Sequence, residues 1–476
     1  MRITDIICDG STVNFILDGP HWGTVTVEAF SPALKESISL GKCNVEVTGS
    51  TFSIDRYEFG RDGLYLRYQT DLEGFCYVTA AVPERNLPYP ERDSKKGLQV
   101  TMVDDAVKLG VRHAAINVSI CDMFASRPSE ATFNYSFDGR EYYIKQRAIE
   151  LLDERVVPLT KAGINVTLIL LCGKHWHFNV EEDMKKQLLH PDYNDEGILS
   201  AFNMQTDEGV RFYQCFVTYL TERYTDPSFD GRAVGLIISN EVQSGWVWGN
   251  MGEKTVEEYA KEYTSALRMA CQASGAVCSD IRVYASLDHY WGRGLDPKEP
   301  TRYYGAKYLL DEIIKLEARE GDFYWNIAHH PYPEDLTKPD FWNDATATED
   351  DLTERITFKN LQVLARYIRQ PDHMYRGRAR HIILSEQGFN SCITPESEIL
   401  QATAYGRAYR KVMEIPEIDC FILHAHKDNM AEFGLNLGIW RRKPDSNEID
   451  SPKPIYHVFK MIDKKDHTGK FLWERF

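Results

Sequence analysis

The chain has 476 residues, with 55 Lys and Arg against 71 Asp and Glu, which gives a formal net charge of −16. Hydrophobic residues make up 43% and charged residues 26% of the chain, a balance typical of folded globular proteins that excludes a disordered or fibrous chain. The negative charge repels phosphate backbones, so nucleic acid is not expected as a partner.

The N-terminus and the cysteines bear on where the protein works. The first ten residues, MRITDIICDG, contain neither the apolar core nor the cleavage site of a signal peptide, and no apolar stretch reaches the about 20 residues that cross a bilayer. Ten scattered cysteines without a CxxC pair are typical of buried free thiols in a reducing compartment. We expect a cytoplasmic protein if the chain is full length, a secreted or periplasmic one if it is trimmed, and no membrane partner. The sequence leaves the oligomeric state open.

Residues 1–90 have the pattern of a small accessory domain. Short alternating apolar runs are separated by Asp-Gly pairs at residues 9–10, 18–19 and 62–63, which predicts an antiparallel β-sandwich. Its role is open between a structural support and a carbohydrate-binding module, and the presence of one tryptophan, Trp22, disfavours a stacking surface. The polar stretch at 85–96 predicts a linker.

Residues 91–476 alternate apolar strands with helical patterns. The clearest helix is predicted at 255–274, opened by a capping box of Thr255 and Glu258 and ended by Gly275, and a second is predicted at 143–162. The arrangement predicts an α/β fold, a (β/α)8 TIM barrel with long loops after its strands. A doubly wound sheet is the alternative, although no glycine fingerprint follows any strand. The eight predicted strands are 97–100, 113–118, 165–171, 234–239, 282–286, 324–328, 381–385 and 420–424.

Two of the predicted barrel strands end in a glutamate. Strand 4 is followed by Asn240 and Glu241, and strand 7 by Glu386. A carboxylate at the end of a buried strand is costly unless it is used or paired, and strands 4 and 7 face each other across a barrel. Two carboxyl groups about 5–5.5 Å apart suit double displacement at the anomeric carbon of a sugar, one as nucleophile and the other as acid and base. The alternative is that both glutamates are structural and form ion pairs.

At these strand ends the chain resembles clan A glycoside hydrolases, the "4/7" superfamily of (β/α)8 barrels. The residues that carry the resemblance are Asn240 and Glu241 after strand 4, Glu386 after strand 7, and His330-Pro331-Tyr332 after strand 6, similar to the His-x-Tyr of family 5. The resemblance implies that Glu241 is the acid and base and that Glu386 is the nucleophile. It also implies that Asn240 binds the sugar 2-hydroxyl and that Tyr332 orients Glu386. We expect neither a metal nor an organic cofactor.

Two departures stand against assignment to family 5. Strand 2 lacks the arginine of that family, and Asn117 stands near its end instead. No tryptophan closely follows strand 8, where the chain reads His424-Ala425-His426, and the nearest one is Trp440.

Histidines and tryptophans crowd the same loops. His-x-His pairs follow strands 3 and 8, and residues i and i+2 of an extended segment share a face. A metal-dependent TIM-barrel hydrolase is therefore the rival hypothesis. Neutral histidine also suits hydroxyl-rich ligands because it both donates and accepts, and tryptophan faces pack on pyranose rings. The candidate substrate-binding residues are Asn117, His175, His177, Asn240, Trp246, His289, Trp291, His330, Tyr332, His426 and Trp440.

The sequence therefore predicts a retaining glycoside hydrolase whose partner is an oligosaccharide or polysaccharide. A third hypothesis is a non-catalytic carbohydrate-binding barrel, which the pair of carboxylates disfavours. The sugar, its linkage and the choice between exo and endo action stay open.

Overall fold

The structure, a computed structural model, describes residues 1–173, 179–392 and 394–475. Its centre is a closed barrel of eight parallel strands, in which each strand pairs with the next in the chain and the eighth pairs with the first. The predicted (β/α)8 fold is thereby confirmed. Barrel strands 1 to 8 are Lys96–Leu98, His113–Ser119, Asn165–Leu171, Ala233–Ile238, Arg282–Leu287, Asn326–His329, Ile382–Leu384 and Ile418–Leu423.

Helices connect the barrel strands, and two of them differ from the predicted bounds. The second predicted helix begins at Gln146 because Tyr143 belongs to the strand Arg140–Lys145. The helix capped by Thr255 continues past Gly275 to Val277, and burial of the Val277 side chain stabilises these last residues in the helix. The α-helices are Val103–Leu109, Ile120–Met123, Gln146–Lys161, Glu182–Leu188, Asp207–Thr225, Gly245–Trp248, Val256–Val277, Ala306–Glu320, Gln362–Ile368, Pro395–Met413 and Pro454–Met461, with single 3₁₀ turns at Gly63–Tyr65, Phe341–Asn343, Pro371–His373 and Leu472–Arg475.

The N-terminal part of the chain forms one hydrogen-bonded sheet of six strands. Its framework is the long hairpin of Thr12–Phe30 and Ser39–Asp55, against which Arg2–Cys8 pairs antiparallel. A continuous buried cluster runs from this sheet into the barrel, and the division into an accessory domain at 1–90 and a barrel at 91–476 stays a prediction. The remaining strands of the sheet are Arg67–Thr70, Glu73–Gly74 and Ala80–Ala81.

The inside of the barrel is filled by its own side chains. Apolar residues from barrel strands 2 to 8 form a separate buried cluster, and the half-buried Trp248 packs against it. This packing forms the floor under the carboxyl ends of the strands.

Two loops at the carboxyl ends of the barrel strands carry small sheets of their own. Phe124–Ala125, Thr132–Phe137 and Arg140–Lys145 form an antiparallel sheet in the connection after barrel strand 2. Trp440–Arg442 pairs with Ile449–Pro452 in the segment after barrel strand 8. Among the described helices, none is both long enough and apolar enough to cross a membrane.

Candidate active site

A cavity of about 430 Å³ opens at the carboxyl ends of the barrel strands. This is the end where the loops of such barrels build their sites, because every loop that leaves a strand there converges on the barrel axis. Its lining includes Asn117, Asn240, Glu241, Ser244, Trp248, Asp288, His289, Tyr290, Leu295, Tyr332, Glu334, Leu336, Glu386, His424, Glu432 and Phe433.

The turn after barrel strand 4 places Glu241 in this cavity. Ser239 and Glu241 have φ values of 65° and 39°, a left-handed conformation that is costly for residues other than glycine and persists where the surroundings impose it. The Glu241 amide donates to Ser286 Oγ at 3.0 Å, which ties the turn to barrel strand 5.

Glu386 follows barrel strand 7 and receives two hydrogen bonds. Gln99 Nε2 donates to its Oε2 at 3.1 Å, and the Tyr332 hydroxyl donates to its Oε1 at 3.3 Å. One carboxylate oxygen of Glu386 lies within 4.8 Å of one of Glu241, with a ring nitrogen of His330 within the same distance of both. Burial favours the neutral acid, but the charges of His424 and His330 together with the two hydrogen bonds hold the pKa of Glu386 below its usual range.

His330 joins the two strand ends that carry the glutamates. Its Nδ1 lies 2.8 Å from Glu241 Oε1, and its Nε2 lies 3.0 Å from Ser385 Oγ. Burial alone would lower the pKa of His330, but the bond to Glu241 and the charge of Glu386 raise it above its usual range. A proton on Nδ1 is required for a hydrogen bond to the Glu241 carboxylate.

A chain of three hydrogen bonds links a loop carboxylate to Glu386. Glu432 Oε2 lies 3.1 Å from His424 Nε2, His424 Nδ1 lies 2.6 Å from Gln99 Oε1, and Gln99 Nε2 donates to Glu386. Both ring nitrogens of His424 face hydrogen-bond acceptors, Gln99 Oε1 and Glu432, and this arrangement favours the imidazolium form. Burial by itself lowers the pKa of His424, but the bond to Glu432 and the charge of Glu386 outweigh this effect and raise the pKa above its usual range.

Asp288 is a buried carboxyl group of the cavity that the sequence reasoning missed. It accepts hydrogen bonds from Gln243 Nε2, from Ser244 Oγ at 2.6 Å and from the Tyr290 amide at 2.7 Å. Burial and the nearby charge of Glu241 raise the pKa of Asp288 well above its usual range. Asp288 therefore braces the loops after barrel strands 4 and 5 on the side of Glu241.

The structure brings some of the predicted substrate-binding residues together in the cavity. Asn117, Asn240, His289 and Tyr332 line it, and His330 contacts Glu241. Burial, with the charge of Arg355, lowers the pKa of His289 to about 3, so its ring is neutral. His175 and His177 lie outside the described residues.

Four other predicted residues do not line the cavity. Trp246 is buried under the guanidinium of Arg302, with Cζ 3.9 Å from the ring centroid. Trp291 is 1% exposed and donates to a backbone carbonyl. His426 and Trp440 both bond to Asp105, at 3.0 and 2.8 Å.

Several residues that line the cavity or bond to Glu386 were not among the predicted site residues. Gln99 and Asp288 each come directly after a barrel strand, so a search of every strand end for polar residues finds them. Glu334, Glu432 and Phe433 lie well inside long loops, and their position depends on how those loops fold. Nothing in the local sequence marks them.

The described His-x-His pair, the one after barrel strand 8, does not support the metal hypothesis. His424 faces Gln99 and Glu432 while His426 faces Asp105, so this His-x-His pair does not converge on one point. In the described part of the chain, the cluster of three possible ligands is Glu241, His330 and Glu386. Both ring nitrogens of His330 already face hydrogen-bond partners.

The fold and the cavity define a (β/α)8 barrel with paired carboxyl groups at the carboxyl ends of its strands. Solved structures of similar fold include a β-glucosidase mutant derived from a hyperthermophilic tetramer, with 12% identity over 76% of this chain and 82% of that one and a TM-score of 0.50. A family 39 glycoside hydrolase from Bacteroides cellulosilyticus WH2 has 12% identity over 97% of this chain and 82% of that one, with a TM-score of 0.48. A β-glucosidase from Pyrococcus furiosus has 12% identity over 76% and 82%, with a TM-score of 0.48.

The family of the chain follows from its sequence. The model of DUF5722, described as a family of unknown function, matches residues 88–472, and the chain belongs to this family. The match covers the whole barrel, including both strand-end glutamates. No curated protein matches the chain.

Proposed function

We propose that the protein is a retaining glycoside hydrolase in which Glu386 is the nucleophile and Glu241 the acid and base. The observation that carries the proposal is the short distance between the two carboxyl groups in one cavity. One carboxylate oxygen of Glu386 lies within 4.8 Å of one carboxylate oxygen of Glu241. Retention suits carboxyl groups about 5–5.5 Å apart, whereas inversion needs about 6.5–9.5 Å to admit a water molecule.

The first step forms a covalent intermediate. Glu386 attacks the anomeric carbon as the bond to the leaving oxygen breaks, and Glu241 transfers its proton to that oxygen. The low pKa of Glu386 supports its role, because a nucleophile must be ionised before substrate binds. Tyr332 and Gln99 hold its two oxygens in place.

The second step releases the sugar. Glu241, now a carboxylate, takes a proton from water as the water oxygen attacks the anomeric carbon and Glu386 departs. The hydrogen bond from His330 Nδ1 fixes the orientation of Glu241 through both steps. Asn240, which lines the cavity beside Glu241, is the proposed partner of the sugar 2-hydroxyl.

The charge of the cavity indicates the class of substrate. Among the described lining residues there are five carboxyl groups and neither lysine nor arginine; the five are Glu241, Asp288, Glu334, Glu386 and Glu432. Such a lining repels uronates and sulfated sugars. Exposed apolar side chains stand at its mouth, with Phe433 81% and Leu336 42% exposed. We propose a neutral sugar as the substrate, with apolar ring faces or an apolar leaving group at the mouth.

A hydrolysis screen over neutral and anionic glycans, read by NMR of the product, tests the proposal. Glu386→Ala is expected to reduce kcat by about 10⁴-fold or more, and Glu241→Gln by about 10²–10⁴-fold. The matched control is Glu334→Gln, which removes a carboxylate of the same cavity that is bonded to Thr346 and to neither glutamate.

Three outcomes would reject the assignment. An inverted anomer as the first product contradicts the double displacement. Full activity in both glutamate variants shows that other groups do the chemistry. Binding of a glycan without cleavage supports the non-catalytic barrel instead.

A further inference from the structure

A second cavity, of about 450 Å³, lies between the N-terminal sheet and the barrel helices Val256–Val277 and Ala306–Glu320. We call it the seam pocket. The side chains that matter are Arg67 from the sheet, Lys261, Thr264 and Arg268 from the first helix, and Arg319 with Glu320 from the end of the second. Its volume is close to that of the candidate active site, and the two cavities share no lining residue.

The charge of the seam pocket is opposite to that of the protein. Its described lining carries Arg67, Lys261, Arg268 and Arg319 against the single carboxylate of Glu320, in a chain with a net charge of −16. A cleft lined by one sign of charge concentrates ions of the opposite sign. The pocket therefore attracts anions that the rest of the surface repels.

The helix Val256–Val277 turns a polar face to the pocket. Lys261, Thr264, Ser265 and Arg268 line it and are spaced i, i+3, i+4 and i+7, which places them on one side of the helix. A helix that packs against a sheet normally buries apolar residues on that side. Here Thr264 and Arg268 are 2% and 3% exposed, so polar groups are buried where packing alone would select leucine or alanine.

Two of these buried polar groups have unused hydrogen-bonding capacity. Within the described residues, neither Arg268 Nη2 nor Thr264 Oγ1 has a hydrogen-bond partner, and Glu320 Oε2 is 3.8 Å from Arg268 Nη2. A buried donor without a partner is costly and is rare in folded proteins. Residues i and i+4 of a helix are neighbours, so one ligand group can contact both.

The Arg268 guanidinium is held in a fixed position. It donates to the Gly321 carbonyl, and its Cζ lies 4.8 Å from the ring centre of Tyr77 and 4.5 Å from that of Phe323. A planar guanidinium packed against two rings presents its remaining donors in a preset direction, which favours carboxylate, phosphate and sulfate groups.

We propose that the seam pocket binds a small ligand through an oxyanion group, a sulfate, phosphate or carboxylate, held by Arg268 and Thr264 with Lys261, Arg67 and Arg319 around it. This site is separate from the candidate active site and does not depend on the proposed hydrolase activity. Its position between the sheet and two helices means that the ligand stabilises the contact between the N-terminal sheet and the barrel.

Isothermal titration calorimetry of the full chain at constant ionic strength tests the proposal with three probes: inorganic sulfate, inorganic phosphate and glucuronate. We expect saturable binding of at least one probe at one site per chain, and the order of affinities identifies the oxyanion. Lys261→Glu, at an exposed position, and Thr264→Val, nearly equal in shape, are each expected to weaken binding more than tenfold.

Lys460→Glu, on the exposed side of the helix Pro454–Met461, is the matched control because it makes the same charge change outside the pocket. We expect it to leave binding within twofold of the original chain. The proposal is overturned if none of the three probes binds saturably, or if Lys261→Glu binds as tightly as Lys460→Glu.

Discussion

Single side chains give the two glutamates in the cavity different surroundings. Glu386 is surrounded by two hydrogen-bond donors and two histidines with raised pKa values, whereas Glu241 has one imidazole beside it and the buried Asp288 nearby. Pairs of carboxyl groups in unlike environments can divide the roles of nucleophile and proton donor. The environment of Glu386 fits the nucleophile role proposed for it.

The loop residue Glu432 raises the pKa of His424, and we expect Glu432→Gln to change the dependence of kcat/KM on pH. Glutamine cannot stabilise the imidazolium, so the pKa of His424 falls and Glu386 loses a neighbouring positive charge. The pKa of Glu386 then rises toward its usual range, and the acidic limb of kcat/KM moves to higher pH. The measurement is kcat/KM against pH on the substrate found in the screen.

Glu334→Gln is again the matched control, because it removes the same charge from the cavity without touching the chain from Glu432 to Glu386. Its acidic limb should stay in place. An unchanged limb in Glu432→Gln, or an equal shift in both variants, would show that the loop carboxylate does not act through His424.

At the scale of elements, the ends of the barrel strands hold the residues of the candidate site, and the helices pack around the barrel and stabilise it. The helix Val256–Val277 supports both barrel strand 4 and the seam pocket, since Tyr263 donates to the Ile238 carbonyl at 2.9 Å. Its start is fixed by reciprocal bonds, in which Thr255 Oγ1 accepts from the Glu258 amide at 3.3 Å and Glu258 Oε2 accepts from the Thr255 amide at 2.9 Å.

Loss of this cap should destabilise the protein without affecting catalysis. Thr255→Ala is expected to lower the free energy of unfolding by about 1 kcal/mol. The Glu258 amide loses its acceptor, and the reciprocal bond from the Thr255 amide to Glu258 is weakened. Urea denaturation followed by circular dichroism measures the change. The same substitution at Thr403, within the helix Pro395–Met413, removes no cap and should be neutral or stabilising, since alanine favours a helix interior. Equal effects of the two substitutions would rule out the cap as the cause.

At the scale of the whole molecule, the N-terminal sheet and the barrel are joined by packing and by charge. One buried cluster includes residues of both. Arg61, whose side chain is 8% exposed, bonds Asp207 of a barrel helix at 2.6 Å, and the Glu320 carbonyl accepts from the amides of Cys76 and Tyr77. Breaking this contact exposes apolar surface to water and removes the ion pair of Arg61 with Asp207.

We therefore expect the sheet and the barrel to unfold together. Differential scanning calorimetry should show a single transition for the full chain, with the calorimetric enthalpy equal to the van't Hoff enthalpy. Two resolved transitions would instead support residues 1–90 as an independent domain.

The predicted and observed strands agree within a few residues at all eight places in the barrel. The reason is local, because a parallel strand buried on both faces is a continuous apolar run bounded by polar residues. Glu241 and Glu386 could be found for the same reason, since each interrupts such a pattern at its end. The sheet inserted after barrel strand 2 could not be found in this way, because most residues of its strands Thr132–Phe137 and Arg140–Lys145 are not buried and polar side chains occupy one side.

The sequence by itself determined the barrel, the order of its strands and the two glutamates at strand ends, because periodicity and a charge at the end of an apolar run are properties of neighbours in the chain. Only the tertiary structure decided which loop residues reach those glutamates. Gln99, His424 and Glu432 come from opposite ends of the chain and meet through closure of the barrel, while Trp291 and His426 do not line the cavity. The seam pocket depends on tertiary structure in the same way, since its cations come from a strand and two helices that the fold brings together. Contacts between distant parts of a chain follow from packing, which no local pattern records.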